Sequence, residues 1–389
     1  MNKNLTSLFL LDENVVFLNH GSFGACPRPV FEAYQKWQLK LERQPVAFLD
    51  PDRGLSGWMR DARVALAGEL GTAADNIVGV MNATYGLNAV AQSLELHEGD
   101  EILTTDHEYA ALEKTWAYVA RKTGAKIISV TIPLPLVAEA DFTNTLRAGI
   151  TDRTRVIFLS HITSATALLF PIENIVAEAR LRGIYTVIDG AHTPGHIPLN
   201  LDQLGADFYA GNCHKWLMAP KGSAFLHVRP ELQSMINPLV ISHGWTADNL
   251  QPAPFGGTPF VDSFEMQGTR DPSAWLAVPD AISFRAAHHW DKVAADCQRL
   301  VQDTAMRVAA WTGLPALGSA EFCAPQMVAM PIPDCDPLLL QRKLLADYNI
   351  EIPCFKWKGQ AITRVSAQGY NSQAQMDLLV KALKALLLQ

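Results

Sequence analysis

Between residues 55 and 230 the chain alternates short runs of β-branched and apolar residues with stretches of helical periodicity. This alternation favours an α/β fold, with a mostly parallel seven-stranded sheet and helices on both of its faces. In such sheets ligands bind at the carboxyl ends of the strands, where most of the polar motifs of this chain lie. The predicted strands are residues 76–80, 101–105, 126–130, 155–159, 184–188, 206–210 and 223–228.

The remainder of the chain predicts a second, smaller unit. Residues 272–300 have the pattern of one long helix that joins two domains, and residues 373–388 form an amphipathic helix. A chain of 389 residues is long enough for two domains. We expect a large α/β domain over residues 25–265 and a smaller α+β domain made of residues 266–389, onto which residues 1–24 fold back.

Asp189 and Lys215 follow two successive predicted strands. Because the carboxyl ends of parallel strands meet at one edge of a sheet, we expect these two side chains to lie close together. Such a pair suits pyridoxal phosphate: the lysine forms a Schiff base, and the carboxylate keeps the pyridine nitrogen protonated. Taken alone, Asp189 also fits a helix cap and Lys215 a solvated surface lysine.

Residues 80–85 follow the first predicted strand and open a helix that runs through Leu94. Small and hydroxyl residues at a helix start expose N–H groups, and the helix dipole favours an anion there, which predicts a phosphate site. An ordinary N-cap by Asn82 or Thr84 explains the same pattern. The sequence has neither GxGxxG after a strand nor GxxxxGK[ST], so a dinucleotide or ATP site is disfavoured.

Histidines near the strand ends allow two further interpretations. His107 lies just beyond the second predicted strand, where an aromatic ring is able to stack on a flat cofactor, although a capping histidine fits equally. A metal site is disfavoured, because Pro194 and Gly195 between His192 and His196 deny them a shared helical face. We expect no metal.

Composition restricts the partners. A formal net charge of -7 supplies no basic surface for nucleic acid or anionic membrane, and no apolar run is long enough to span a bilayer. The six cysteines have no CxxC spacing, and no secretory signal is evident, which is typical of reduced thiols in a cytoplasmic protein. We therefore expect a small-molecule substrate, no nucleic acid, no membrane and a cytoplasmic location.

Four segments resemble the class V branch of the fold-type I pyridoxal-phosphate enzymes, and within it the isopenicillin N epimerase-like group. The class V branch includes cysteine desulfurases, aminotransferases and C–S lyases. The resemblance covers nearly the whole chain and rests on residues 17–24 (FLNHGSFG), 212–217 (NCHKWL), 268–275 (GTRDPSAW) and 364–368 (RVSAQ).

The resemblance implies a role for each matching position. Lys215 would bind the cofactor covalently, Asp189 would contact the pyridine nitrogen, and His107 would stack on the ring opposite Ala191. Arg364 would grip the substrate carboxylate, with Asn19 and His20 at the mouth of the site. The phenolic oxygen would contact Ser164 and His192, and the phosphate would contact Ala83, Thr84, Asn212, His214 and, from the neighbouring chain of a homodimer, Gly268 and Thr269.

The reaction is left open among chemistries that share a carbanion at Cα. A desulfurase needs a nucleophilic cysteine on a mobile loop before Arg364, whereas Cys354 looks structural or pocket-lining and the longer loop is absent. Epimerisation needs a second base, for which His20, Tyr85 and Tyr370 are candidates. β-Elimination of a C–S bond or transamination needs only Lys215. A protein that binds the cofactor without catalysis would have no need of Lys215 and Arg364 together.

Overall fold

Seven strands form the central sheet of the protein, whose computed structural model describes residues 5–247 and 253–388. The strand order is β2-β8-β7-β6-β5-β3-β4, in which only β8 runs antiparallel to its neighbours. The predicted mostly parallel seven-stranded sheet is therefore confirmed. The strands are β1 Val16–Phe17, β2 Ile77–Val80, β3 Glu101–Thr105, β4 Lys126–Val130, β5 Thr154–Ser160, β6 Tyr185–Asp189, β7 Phe208–Asn212, β8 Ala224–Val228, β9 Met327–Pro331, β10 Ile350–Glu351, β11 Cys354–Trp357 and β12 Gln360–Ser366.

Two predicted strands are displaced along the chain. The strand predicted over residues 184–188 ends at Asp189, and the strand predicted over 206–210 is β7, which ends at Asn212. Pairing decides the register, since Ile188 and Asp189 of β6 lie opposite Tyr209 and Ala210 of β7. Asp189 and Asn212 are therefore the last residues of β6 and β7, at the carboxyl ends of these strands, rather than loop residues that follow the strands.

Helices cover both faces of the sheet, so β2, β3, β7 and β8 are buried along their whole length, while the edge strand β4 is largely solvent-facing. No helix within the described ranges is long and apolar enough to cross a membrane. The α-helices are α1 His20–Phe23, α2 Arg28–Arg43, α3 Pro45–Leu49, α4 Leu55–Leu70, α5 Ala83–Ser93, α6 Ala110–Thr123, α7 Glu139–Gly149, α8 Glu173–Leu181, α9 Leu201–Leu204, α10 Pro259–Glu265, α11 Ser273–Leu276, α12 Val278–Ala287, α13 Trp290–Thr312, α14 Pro337–Tyr348 and α15 Gln373–Leu387.

The single long helix predicted over residues 272–300 is wrong, because the segment forms α11, α12 and the start of α13. Pro279 stands in the first turn of α12 and has no N–H to donate, so a helix cannot run through it without a break. His289 adopts a left-handed conformation with φ of 50°, which separates α12 from α13. The chain therefore bends twice between the two sheets.

A second, antiparallel sheet of order β11-β12-β9 lies in the C-terminal part, beside α13 and α14. The N-terminal segment reaches this part: Val16 of β1 pairs with Ile350 of β10, and Asn19 forms a bridge with Ser366 of β12. The domain limits themselves stay a prediction, and residues 1–4 and 389 of the expected small domain lie outside the described residues.

Candidate active site

A cavity of about 740 Å³ opens at the carboxyl ends of the central strands. Its size lies within the range of roughly 300–1,000 Å³ that is usual for small-molecule sites. The wall combines residues at the ends of β2, β5, β6 and β7 with one side chain from β12. Ten of the predicted site residues line it: Ala83, Thr84, Ser164, Asp189, Ala191, His192, Asn212, His214, Lys215 and Arg364.

Asp189 is the last residue of β6 and is only 4% exposed. Its Oδ1 accepts a hydrogen bond of 2.9 Å from the backbone N–H of Ala191. Burial raises the pKa of Asp189, whereas this hydrogen bond and the charge of Lys215 lower it. A buried carboxylate of this kind requires a cation beside it, which suits either a lysine or the protonated ring nitrogen of a ligand.

Lys215 follows β7 and directs its amine into the cavity. Its Nζ lies 3.0 Å from Nε2 of His192. Burial and the charge of Arg364 lower the pKa of Lys215 to about 7, although the charge of Asp189 opposes the shift. A lysine with a pKa near neutrality has a substantial amine fraction at pH 7, so it can act as a nucleophile or as a base.

The hydrogen bond at Nδ1 of His192 determines which tautomer this ring adopts. The indole N–H of Trp216 donates to Nδ1 of His192 over 3.4 Å. Burial lowers the pKa of His192 well below its ordinary value, so the neutral ring carries its proton on Nε2. That N–H faces Nζ of Lys215, which accepts only as the amine. Both the hydrogen-bond pattern and the pKa of Lys215 therefore favour an uncharged lysine.

Another part of the cavity wall is built around the N-terminus of α5. Asn82 caps this helix by accepting a hydrogen bond of 2.8 Å from the N–H of Tyr85. The N–H of Ala83 donates to Oδ1 of Asn212 over 2.9 Å, which ties the helix start to the end of β7. Thr84 and His214 complete this part of the wall. A helix N-terminus with amide and imidazole groups around it is suited to a phosphate.

Arg364 projects from β12 into the same cavity and is 5% exposed. Its Nη1 donates to the backbone oxygen of Ser164, and its Nη2 donates to Oγ of Ser22 over 3.0 Å. Nε has no hydrogen-bond partner among the described residues. Burial lowers the pKa of Arg364 to about 10, so the group remains a cation at neutral pH. A carboxylate ligand would satisfy this charge.

The predicted mouth residues Asn19 and His20 do not line the cavity within the described part of the chain. Oδ1 of Asn19 accepts from Oγ of Ser22, the residue that contacts Arg364. His20 is fully buried, and its Nε2 donates to the backbone oxygen of Lys215 over 3.1 Å. Its Nδ1 accepts from the hydroxyl of Tyr370 over 2.9 Å. Both residues therefore support residues of the wall from behind.

His107 also lies outside the described cavity lining. Its Nδ1 is 2.7 Å from Oγ1 of Thr166, and its ring packs 4.6 Å from that of Trp357 and 5.5 Å from that of Phe170. Tyr109, two residues further on and just before α6, lines the cavity instead. The loop after β3 thus places an aromatic ring in the cavity wall, but the ring is that of Tyr109 rather than that of His107. The stacking role of His107 stays a prediction.

Gly268 and Thr269 line a separate cavity of about 220 Å³, together with His243 and Arg270. Among the described residues they do not contribute to the larger cavity. Their predicted role required a second chain, so the single chain leaves that prediction untested.

Glu108 is a buried carboxyl that the sequence analysis also missed. Its Oε2 accepts from the backbone N–H of Ser160 over 2.8 Å and from the hydroxyl of Ser160 over 2.6 Å, while Oε1 accepts from Thr105. Ser160 lines the cavity and pairs in register with Asp189. Burial and, to a smaller extent, the charge of Asp189 raise the pKa of Glu108, the hydrogen bonds from Ser160 and Thr105 lower it, and the resulting pKa is about 7. The sequence feature that could have identified Glu108 is its position directly after His107.

The cavity wall contains no cysteine within the described chain, which includes all six cysteines of the sequence. Cys354 is buried in β11, and its Sγ lies 3.5 Å from Oγ1 of Thr363. Burial raises the pKa of the Cys354 thiol to about 11, which disfavours the thiolate. The described residues also contain no group of three histidine, cysteine or acidic side chains able to hold a metal ion.

Comparison with known proteins gives a family match over residues 25–379, to the aminotransferase class-V family. The chain is 35% identical to isopenicillin N epimerase of Amycolatopsis lactamdurans over 97% of its own length and 96% of the relative. It is 29% identical to putative L-cysteine desulfhydrase 1 of Oryza sativa subsp. japonica, over 96% of this chain and 84% of that one.

The fold has solved counterparts. The apo structure of a cysteine desulfurase from Thermococcus onnurineus NA1 superimposes with a TM-score of 0.82, at 20% identity, over 100% of this chain and 98% of the other. This likeness concerns the fold, and it confirms the predicted architecture of the fold-type I enzymes.

Proposed function

The chain belongs to the aminotransferase class-V family, and we propose that it is a pyridoxal-phosphate-dependent enzyme that removes the Cα proton of an amino acid. The observation that carries this proposal is the convergence of Lys215, Asp189 and Arg364 on one cavity. A lysine amine, a buried carboxylate and a buried guanidinium are the three groups that this chemistry requires.

The residues present fit the cofactor. The carboxylate of Asp189 would hold the pyridine nitrogen, and the N-terminus of α5 with Asn212 and His214 would hold the phosphate. The N–H on Nε2 of His192 and the side chain of Ser164 would contact the phenolic oxygen. When bound, pyridoxal phosphate supplies an electron sink for the charge that develops at Cα.

Arg364 and Lys215 have separate roles toward the substrate, one in binding and the other in proton removal. The guanidinium of Arg364 binds the α-carboxylate in a two-pronged contact and so sets which bond at Cα is broken. Nζ of Lys215, whose pKa of about 7 leaves a large fraction of uncharged amine at neutral pH, takes the proton from Cα. His20 holds the backbone oxygen of Lys215 and thereby fixes the start of its side chain.

Epimerisation is the outcome that we propose first, with Tyr109 as the second acid–base group. Lys215 enters the cavity after β7 and Tyr109 after β3, on opposite sides of Asp189 in the order of the sheet. Proton removal by one group and return by the other inverts Cα. The three other candidates for the second base are less suitable. His20 and Tyr370 are hydrogen-bonded to each other, and the hydroxyl of Tyr85 donates a hydrogen bond to Gln267.

β-Elimination of a C–S bond is the second candidate, favoured by the desulfhydrase among the relatives. It needs Lys215 as its only base. A desulfurase reaction is disfavoured because the cavity wall within the described chain contains no thiol. Transamination remains the alternative if the proton returns to the cofactor rather than to Cα.

We further propose a homodimer as the active unit. Within one chain Gly268 and Thr269 line a different cavity, so they would complete the phosphate site only from a partner subunit. Mixing Lys215→Ala chains with Thr269→Asp chains should restore activity in the hybrid dimers, because each hybrid then has one intact site. Failure of such mixtures, with both variants folded and dimeric, would contradict a shared site.

The cytoplasmic location and the lack of a nucleic-acid partner stay predictions.

The deciding experiment is a reaction of the cofactor-loaded protein with a panel of L- and D-amino acids in D2O. Deuterium at Cα, measured by NMR, reports proton removal, and chiral chromatography reports epimerisation. Pyruvate with ammonia and sulfide reports elimination, and a new keto acid reports transamination. A protein that takes up no pyridoxal phosphate, or a Lys215→Ala variant with full exchange at Cα, overturns the proposal.

A further inference from the structure

We infer that the site selects amino acids with bulky, uncharged side chains, a substrate class that rests on the function proposed above. The inference comes from which groups of the cavity wall are left over once the cofactor and the substrate carboxylate have been accommodated.

The charged groups of the wall are already assigned. The lining contains one carboxylate, that of Asp189, one cationic side chain, that of Arg364, and the amine of Lys215, which takes the Cα proton. Burial lowers the pKa of both lining histidines, His192 and His214, so both are neutral at pH 7. A substrate side chain that carries a carboxylate or an ammonium would therefore find no counter-charge in the described wall that is not already engaged, which is unfavourable where the wall is buried.

The remaining lining includes two large apolar side chains. Phe23 and Met81 are 71% and 54% exposed, and both line this one cavity. Ile162 also contributes to the wall. Large apolar side chains that converge on one opening are typical of a surface that an apolar ligand covers.

The backbone holds Phe23 beside the group that binds the substrate carboxylate. Ser22, its neighbour in α1, accepts a hydrogen bond from Nη2 of Arg364. On its other side Gly24 has a φ of 69°, and a Cβ there would lie 2.0 Å from the backbone oxygen of His214, so the loop is packed against the residues around Lys215. Nζ of Lys221 donates to the oxygen of Gly24 over 2.9 Å. The ring of Phe23 is therefore placed next to the carboxylate site.

The contacts of the substrate with Arg364 and Lys215 determine which part of it reaches Phe23. A substrate whose carboxylate contacts Arg364 and whose Cα–H faces Lys215 has only its side chain left to turn toward the opening. Phe23 lines the cavity directly after Ser22, which contacts Arg364, so a substrate side chain that turns toward the opening would pass this ring, and a longer one would extend toward Met81. Alanine would leave this apolar surface uncovered.

The test is a spectral titration of the cofactor-loaded protein with matched pairs of L-amino acids. Glutamine and glutamate have the same shape and differ in charge, and lysine differs from norleucine by its terminal ammonium group. We expect each charged member to bind at least about tenfold more weakly than its uncharged partner, and norleucine to bind at least about tenfold more tightly than alanine. Equal affinities within the pairs overturn the inference, while cofactor loading and exchange at Cα leave the proposed function intact.

Two variants locate the effect. Phe23→Ser and Met81→Ser should each reduce the norleucine-to-alanine preference severalfold, and either one suffices if the other does not load the cofactor. Leu181→Ser is the matched control, because Leu181 is 90% exposed on α8 and does not line the cavity. If Phe23→Ser changes the sedimentation coefficient but not the preference, the ring belongs to a contact between chains and the inference fails.

Discussion

Trp216 determines which nitrogen of His192 carries the proton. Its indole N–H occupies Nδ1 of His192 from one side, which leaves the proton on Nε2, 3.0 Å from Nζ of Lys215 on the other. Trp216 is itself fully buried and stacks on His196 at 3.9 Å. The indole group thus acts on the site through His192, as a positioning residue.

Removal of that indole donor should weaken the reaction without loss of the fold. Trp216→Phe keeps an aromatic ring but allows either tautomer of His192, and we expect kcat/KM to fall roughly fivefold, the value of one hydrogen bond, with a shifted pH profile. Trp290→Phe is the control, because Trp290 is also buried and its N–H has no partner among the described residues. An equal loss in both variants would assign the effect to packing.

The amine form of Lys215 should control cofactor uptake by the apoprotein. Because burial lowers the pKa of Lys215 from 10.5 to about 7, the amine fraction rises up to about pH 7 and is complete above about pH 8. The rate of covalent uptake, followed by absorbance, should rise and level off in the same way. A rate that still climbs tenfold per pH unit between about 8 and 10 would show an ordinary lysine. Lys221→Gln should keep the profile.

Tyr109 should separate proton removal from inversion. We expect Tyr109→Phe to reduce the interconversion of enantiomers by about 10²–10⁴-fold, the usual contribution of an acid–base group, while exchange of the Cα proton with solvent by Lys215 persists. Deuterium incorporation by NMR and chiral chromatography measure the two rates on one sample. Tyr118→Phe, on the outer surface of α6, is the control. If both rates fall together, Tyr109 only stabilises the site.

Arg364 should affect substrate binding more than turnover. Arg364→Lys keeps a positive charge but loses the planar pair of donors, and we expect KM for amino acids to rise roughly 10–100-fold with a smaller change in kcat. Steady-state kinetics on the cofactor-loaded protein give both constants. Arg307→Lys, in a surface ion pair with Asp377, should leave them unchanged. An unaltered KM in Arg364→Lys would remove this residue from the carboxylate site.

Local pattern was sufficient for the central sheet and for the helix predicted over residues 373–388, since α15 is Gln373–Leu387. These elements have strong periodicity and are buried by their neighbours in the expected way. Local pattern was insufficient at residues 272–300, where the helical periodicity continues through Pro279 and His289 although the backbone does not. Strand ends also shifted, because hydrogen bonding between β6 and β7 decides the register of Asp189 and Asn212.

The sequence indicated which strand ends meet at the site, whereas the direction of each side chain there could not be predicted from it. Asp189, Lys215 and Arg364 converge on the cavity as expected, but His107 turns toward Trp357 and Tyr109 takes the wall. His20 was expected at the substrate and instead holds the backbone of Lys215. Neighbouring residues of one loop differ in such roles through packing alone, which leaves no periodic trace in a sequence.

The sequence by itself determined the family, the sheet with its ligand site at the strand ends, and the charged residues that the chemistry needs. Those properties follow from periodicity and from residue types at recognisable positions. Only the tertiary structure decided the low pKa of Lys215, the proton position on His192, the burial of Cys354 and the apolar opening at Phe23 and Met81. Each of these depends on burial and on contacts between residues far apart in the chain, which exist only once it has folded.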